Sequence, residues 1–412
     1  MKRIDRYVRR GIVAPFLLAI AVSALAQTPP RIVAIGDVHG AYSEFVSILQ
    51  RTKLIDNNLN WSGNDVTLVQ LGDILDRGAD SRKALDLMMK LEGQAAQAHC
   101  KVIPLLGNHE VMDMVGDVRY VSAGEYQAFA TSQSEERRAS EFESYSKFMK
   151  QHAPPGSPFS VIDRDKWMAQ HPLGFFELRD AYGPKGEYGK WFRSHDAVAL
   201  VGDTIFLHGG LDPDLHYKSV SDINKRVHEE LRQFDSVWKA LAAEGLIWPY
   251  LTLSESIQLV DAEYDASRSG NYALNPAVLQ NIRHFRVDFP RWSIMNPKGP
   301  LWYRDLALKP EDPAFKAKID AMLEKLKASH IVMGHTVMTK DYSITPRFDG
   351  DVFLIDTGML TFYFHGRPSA LVIQGGRFTA VYANGDQVVL LNPKGGRASP
   401  AMIQRAEGTW QE

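Results

Sequence analysis

The chain has 412 residues, of which 47 are basic and 49 acidic; that is long enough for one large α/β domain with insertions, or for two domains. So even a balance leaves no electrostatic footprint for nucleic acid, and 45% hydrophobic residues is ordinary for a globular protein. Cys100 is the only cysteine, which excludes an intramolecular disulfide, and Leu106 stands where a cysteine nucleophile would need an arginine to hold a phosphate.

The first residues read as a targeting signal. Lys2, Arg3, Arg6, Arg9 and Arg10 precede an apolar stretch over 11–25, and Ala24-Leu25-Ala26 is an A-x-A cleavage site. A signal peptide over 1–26 is expected, with export of the mature chain to the periplasm. The apolar stretch is short for crossing a bilayer, so no stable membrane span is expected after cleavage. A cysteine-poor chain tolerates that oxidising compartment.

Arg31-Ile-Val-Ala-Ile reads as a strand and ends in Gly36-Asp37-Val38-His39-Gly40. Asp37 and His39, two apart on a turn, can both face one cation, and the glycines permit a sharp turn. A helix from Ser43 follows, with Phe45, Ile48 and Leu49 on one face. Val66-Thr-Leu-Val-Gln-Leu is a second apolar run rich in β-branched residues; it breaks at Gly72 and supplies Asp73, Asp76 and Arg77. Two carboxylates and a guanidinium on one turn are costly as core. A cation held by Asp73 and an oxyanion held by Arg77 would account for them. Ser81 is expected to cap the next helix, whose apolar face includes Leu85, Met88 and Met89. Lys101-Val-Ile-Pro-Leu-Leu is a third strand and ends in Gly107-Asn108-His109-Glu110. There the Asn108 amide oxygen is a hard-ligand candidate, and His109 is a ligand or an acid.

Residues 111–194 lack this rhythm and are expected to form a helical insertion. Ser122-x-x-Glu125 is a capping box, and Phe142, Tyr145, Phe148 and Met149 form a helical stripe. A loop from Ala153 interrupts it, and Tyr188-Gly-Lys-Trp-Phe-Arg193 closes it with aromatic and arginine candidates for substrate contact. Ala197-Val-Ala-Leu-Val and Thr204-Ile-Phe-Leu form a hairpin, whose second strand ends in His208-Gly-Gly-Leu-Asp-Pro. Residues 214–300 are expected to be a second helical insertion, ahead of Leu301-Trp-Tyr-Arg304-Asp. His330-Ile-Val-Met precedes Gly334-His335, and Val352-Phe-Leu-Ile precedes Asp356-Thr-Gly. A last hairpin turns at Asn384-Gly385, and the tail over 393–412 is expected to be mobile.

Six short apolar runs therefore end in a polar turn of the same kind. Ligands of open α/β sheets gather at the carboxyl ends of strands, so Asp37, His39, Asp73, Asn108, His208 and His335 can converge. Separate burial of each, and of Asp356, would demand a partner for each; one metal centre is the simpler account. Carboxylate, amide and imidazole donors without thiolate suit manganese, with iron or zinc as alternatives, and not a structural zinc site. Six ligands around a bridging Asp73 imply two divalent cations about 3.5–4 Å apart, the spacing of two-metal phosphoryl hydrolysis.

Gly36-Asp-Val-His-Gly, Gly72-Asp-Ile-Leu-Asp-Arg-Gly, Gly107-Asn-His-Glu, His208-Gly-Gly-Leu-Asp-Pro-Asp-Leu and Gly334-His resemble, in order, the motifs of the phosphoprotein phosphatase family of calcineurin-like metallophosphoesterases. The resemblance implies a four-layer α/β/β/α sandwich over 27–392 with the two helical insertions. It implies that Asp37, His39 and a bridging Asp73 hold one metal, and that Asn108, His208 and His335 hold the other. His109 would protonate the leaving oxygen, oriented by Asp76, and Arg77 would clamp the phosphate. The second phosphate-binding arginine of the serine/threonine enzymes is best matched by Arg304. Their aromatic loop after the last histidine has no match, since Asp356-Thr-Gly-Met stands there. These departures, with Tyr188-Gly-Lys-Trp-Phe-Arg-Ser, resemble the Shewanella-like bacterial branch. The implied activity is hydrolysis of phosphotyrosine or phosphoserine/threonine in proteins by a hydroxide bridging the two metals. The alternatives are a dinucleoside polyphosphate hydrolase and a catalytically inactive phosphoprotein-binding module.

Overall fold

A computed structural model describes residues 30–153, 159, 161–269 and 274–393, and the backbone of 403–404. The signal segment expected over 1–26, residues 154–158 of the loop after Ala153, and most of the tail over 393–412 lie outside the described residues.

The strands are β1 (Arg31–Ile35), β2 (Val66–Gln70), β3 (Lys101–Pro104), β4 (Val198–Val201), β5 (Thr204–Leu207), β6 (His330–Met333), β7 (Thr345–Arg347), β8 (Val352–Leu354), β9 (Ser369–Gln374), β10 (Arg377–Tyr382), β11 (Gln387–Leu391) and β12 (Ile403–Gln404). They form two sheets, ordered β12-β11-β10-β9-β1-β2-β3 and β4-β5-β6-β8-β7. β1, β2 and β3 run parallel, as do β5, β6 and β8. Each parallel set therefore points its carboxyl ends one way, and the polar turns after β1, β2, β3, β5 and β6 end up together.

The two sheets pack face to face. Ala34, Val69, Phe206, Val332, Phe353, Leu371 and Phe378 fill the layer between them, and Phe353 of one sheet stacks on Phe378 of the other at 4.4 Å. The alternate residues Val33, Ile35, Leu68, Ile205, Leu207, Ile331 and Met333 join a second core beneath the helices. The central strands β1, β2, β5, β6 and β8 are thus buried on both faces, which is why they read as continuous apolar runs and not as alternations. Helix Tyr42–Arg51 contributes Phe45, Ile48 and Leu49 to that second core, and helix Ser81–Gln97 contributes Leu85, Met88 and Leu91. Helices Val220–Ala243 and Pro313–Leu326 add Val227, Leu231, Ile319 and Leu323. The layers are helix, sheet, sheet, helix. Ser81 is the first helical residue and Asp80, at the cap position, makes no side-chain cap hydrogen bond, so the expected Ser81 cap is not formed.

Both insertion segments are helical among the described residues. Ser122 caps Ala123–Phe129 as expected, accepting from the Glu125 N–H at 3.1 Å. The two insertions pack on one another through Phe176, Trp248 and Tyr250, and Arg137 pairs with Asp180 at 2.6 Å and donates to Tyr250. The segment Glu187–Arg193 has a structural use. Arg193 forms a two-pronged pair with Asp235 at 2.8 Å, Tyr188 donates to Asp86, and Trp191 donates to Glu92. These bonds tie the first insertion to helices Ser81–Gln97 and Val220–Ala243, and leave those side chains no freedom to meet a substrate.

Candidate active site

The turns after the strands are strained where the candidate residues sit. His39, Asp73, Asp76, Arg77 and His335 all have positive φ, between 50° and 72°. Such backbone costs on the order of 1–3 kcal/mol per non-glycine residue and persists only where the surroundings impose it. Here they do. The Val38 and His39 N–H groups donate to the Asp73 carbonyl at 2.9 Å, which stitches the first turn to the second. The Glu110 carboxylate accepts from the N–H groups of Asp73, Ile74 and Gly107 at 2.8 Å each, which stitches the third turn to the second. Two glycines are required by close approach. A Cβ on Gly107 would come within 2.1 Å of Asp73 Oδ1, and one on Gly334 within 2.3 Å of Asp37 Oδ1.

All six candidate ligands converge. His208 Nε2 lies 2.8 Å from Asn108 Oδ1, 3.0 Å from His335 Nδ1 and 3.3 Å from Asp73 Oδ2. His39 Nε2 lies 3.6 Å from Asp73 Oδ2 and 3.8 Å from Asp37 Oδ2. Asp37 accepts from the His335 N–H at 3.0 Å, and all six side chains are buried. His39 and His208 each turn Nδ1 to a backbone carbonyl, of Leu75 and Leu71, at 3.0 Å. Donation there fixes the tautomer and leaves the Nε2 lone pair facing inward, the arrangement metal-ligating histidines adopt. Asp73 belongs to two sets of potential ligands, one with His39 and His109 and one with His208 and His335.

These donors fit divalent cations. Around His208 Nε2 stand an amide oxygen, a carboxylate oxygen and a second imidazole nitrogen, acceptors that cannot satisfy one another without a shared positive charge. Without a cation a proton takes its place: burial alone would push the His208 imidazole down, but Asp73 and Asp37 outweigh it and raise it to about 9. Asp37 is pushed well up by burial and by the neighbouring Asp356 carboxyl, a cost that a bound cation would relieve.

His109 reaches the first of these sets, its Nε2 lying 3.7 Å from Asp73 Oδ2, but its other ring nitrogen is turned to a carboxylate and not to a backbone carbonyl. Its Nδ1 meets Asp76 Oδ2 at 2.5 Å, both groups being buried, and its backbone N–H donates to Asp73 Oδ1 at 3.0 Å. Burial pushes the His109 imidazole down to about 4 and the Asp76 carboxyl well up. Arg77 is partly exposed at the mouth and contacts His39 Nε2. Arg304 is exposed on the opposite side, held by donation to the His335 carbonyl at 2.8 Å and to Thr336 Oγ1 at 3.0 Å.

Sequence reasoning missed three features. Glu110, quoted in its motif without a role, is the tie between two turns; its position three residues into a helix behind Gly107 was the available signal. Asp356, read only as one of the buried polar groups, sits beside Asp37 and accepts from the Gly358 N–H. An aromatic pair was also missed: the short helix Thr361–Phe364 brings Tyr363 and Phe364 to within 5.8 and 5.3 Å of the Arg77 guanidinium, which Tyr120 flanks at 5.2 Å. Tyr120 also packs on His109 at 5.0 Å. A cleft of about 970 Å³ opens beside it, lined by Val118, Arg119 and Trp167 of the first insertion and Thr252 and Glu255 of the second.

The calcineurin-like phosphoesterase family profile matches residues 30–338, and the chain belongs to that family of phosphoester hydrolases. It is similar to Shewanella-like protein phosphatase 1 of Plasmodium berghei, with 24% identity over 344 residues, 82% of this chain and 69% of that one. It is 31% identical over 221 residues to Shewanella-like protein phosphatase 2 of Arabidopsis thaliana, covering 50% and 53% of the two chains. These two similarities support the Shewanella-like branch. In fold it resembles the cold-active protein-tyrosine phosphatase of a psychrophilic Shewanella species, with a TM-score of 0.56 and 21% identity over 88% of this chain and 81% of that one.

Proposed function

We propose that this protein is a metal-dependent phosphoprotein phosphatase that hydrolyses phosphate monoesters, phosphotyrosine foremost. The observation that carries the reading is the position of Asp73. It is shared by both ligand sets and accepts from the backbone of His109, so cation sites and acid are built on one residue. Asp37, His39 and Asp73 would hold one cation, and Asp73, Asn108, His208 and His335 the other. When bound, divalent cations supply Lewis acidity toward the phosphoryl oxygens and lower the pKa of an attacking water. Manganese is the first metal to test, then iron and zinc.

Arg77 and Arg304 flank the centre and bind the remaining phosphoryl oxygens, with planar forks suited to two oxygens at once. In this reading His109 carries a proton on Nε2 and gives it to the leaving oxygen. Asp76 keeps the ring in place throughout. Charge on the phosphoryl group is met by groups already in position, so little reorganisation is required. Tyr120 on one wall and Tyr363 on the other, 40% and 51% exposed, offer faces against which a phenyl phosphate can stack; this supports an aromatic leaving group. The names of the Shewanella-like and tyrosine-phosphatase relatives support the same substrate class. The amino-terminal signal supports a periplasmic location, and no described helix is long and apolar enough to cross a membrane.

The test is turnover of a phosphopeptide panel by the mature protein loaded with manganese. Phosphotyrosine peptides should have the highest kcat/KM. Turnover of dinucleoside tetraphosphate above every phosphopeptide would reject the reading, as would no turnover with any divalent metal.

A further inference from the structure

Behind the His109–Asp76 pair lie two more buried carboxyl groups that the reaction so far leaves unused. Asp76, Asp113 and Glu125 each bring a carboxylate oxygen within 4.8 Å of the others. The three are 0%, 2% and 0% exposed. They differ in what serves them. Asp76 Oδ2 is taken by His109, and Glu125 Oε1 accepts from the Tyr182 hydroxyl at 3.1 Å. Neither oxygen of Asp113 has a hydrogen-bond partner, and Asp76 Oδ1 and Glu125 Oε2 are likewise unserved. The charged groups facing them are Arg179, whose guanidinium donates to the Leu251 carbonyl, Arg77 beside Asp76, and the carboxyl groups of Glu110, Asp73 and Asp117. Two guanidiniums, of which only Arg179 acts on Asp113, cannot offset this many carboxylates, and an isolated buried carboxylate is too costly to keep ionised.

We propose that Asp113 is a neutral carboxylic acid whose O–H donates to Asp76 Oδ1, making it a positioning residue that acts on the reaction through Asp76. Asp113 carries the proton because it alone of the three receives no donor. Burial, with Asp76 and Glu125 beside it, pushes its carboxyl well up, in agreement. Its role follows from the proton inventory, and rests on the acid role of His109 proposed above. An acid role for His109 requires that the His109–Asp76 pair, joined at 2.5 Å, hold two protons and no net charge before transfer. When the Nε2 proton leaves for the ester oxygen, one proton stays on Nδ1 and a negative charge remains on Asp76. Asp113 keeps its own proton throughout and, from within 4.8 Å, turns its O–H to that charge from the other side.

Two variants and a spectroscopic readout test this. Asp113→Leu keeps the branched shape, with bulkier methyl groups, and removes the donor. Its kcat on an alkyl phosphate such as a phosphoserine peptide should fall on the order of ten- to a hundredfold, the loss of one hydrogen bond to a charged group, with KM and metal content unchanged. Asp113→Asn replaces O–H with an amide N–H and should recover most of that loss. Infrared spectra of the wild type near neutral pH should show the C=O stretch of a protonated, unhydrated carboxyl, and Asp113→Asn should remove it. That readout holds even if Asp113→Leu does not fold. The proposal is overturned if the wild type lacks the band, if Asp113→Asn retains it, if the Asn and Leu variants fall equally, or if Asp113→Asn loses one bound cation, since the triad would then be a third cation site. Absence of any phosphatase activity in the wild type would instead remove the acid role of His109, while the infrared band would still decide the protonation of Asp113.

Discussion

Replacing His109 with Gln separates acid catalysis from metal binding. The variant removes the Nε2 proton but keeps the backbone N–H that holds Asp73 Oδ1 at 3.0 Å. The imidazole is outside the proposed donor set, so metal content should stay at the wild-type level. General acid catalysis contributes typically about 10²–10⁴ in rate, or about 2.7–5.4 kcal/mol of barrier. A loss of kcat of that size is expected on a phosphotyrosine peptide. It should be smaller on p-nitrophenyl phosphate, whose leaving group departs readily without a proton. Asp76 also loses the partner of its 2.5 Å contact in a fully buried site, so stability should fall by about 1–3 kcal/mol. The assay is steady-state kinetics on both substrates, with metal analysis and thermal unfolding on the same preparation. An emptied metal site, or an unchanged kcat on the peptide, would refute the assignment.

Asp73→Asn should release both cations and abolish turnover, because Asp73 belongs to both ligand sets; retention of either cation in metal analysis would contradict the bridging role. Tyr120→Ala and Tyr363→Ala should each raise KM for phosphotyrosine peptides several-fold, since an aromatic pair contributes about 0.5–1.5 kcal/mol. The same variants should leave KM for phosphoserine peptides nearly unchanged, and equal effects on both substrates would remove the stacking role. Asp113→Asn should gain stability over the wild type as pH rises. The Asp113 carboxyl is raised in the folded state, so above the ordinary carboxylate range the unfolded chain binds fewer protons than the folded one. Wild-type stability is then lost by up to about 1.4 kcal/mol per pH unit until the folded value is passed. Urea unfolding at pH 5 and pH 8 checks the sign.

The metal ligands were legible because each follows a run of residues buried on both faces, and parallel strands deliver their ends to one place. Asp37, Asp73 and His335 could be chosen from strand position alone. Glu110 was quoted but given no role, because its work is to accept three backbone N–H groups from turns that meet only in the folded chain. The Tyr188–Arg193 stretch misled for the opposite reason. Its aromatics and arginine look like a binding motif, but their partners Asp86, Glu92 and Asp235 lie far away in sequence. Tyr363 and Phe364 escaped notice because nothing in the sequence around Thr361 shows that this short helix returns to Arg77. The buried Asp113 was invisible, since one acid in a helix of mixed composition carries no signal until its neighbours are known.

The central claim is a phosphomonoesterase built on two cations that share Asp73. Its most direct test is to strip the mature protein of metal and titrate manganese back while following phosphotyrosine-peptide turnover. Activity should be absent from the stripped protein and return to a plateau at two bound cations per chain. Turnover by the metal-free protein, or a plateau at a single bound cation, would contradict the claim.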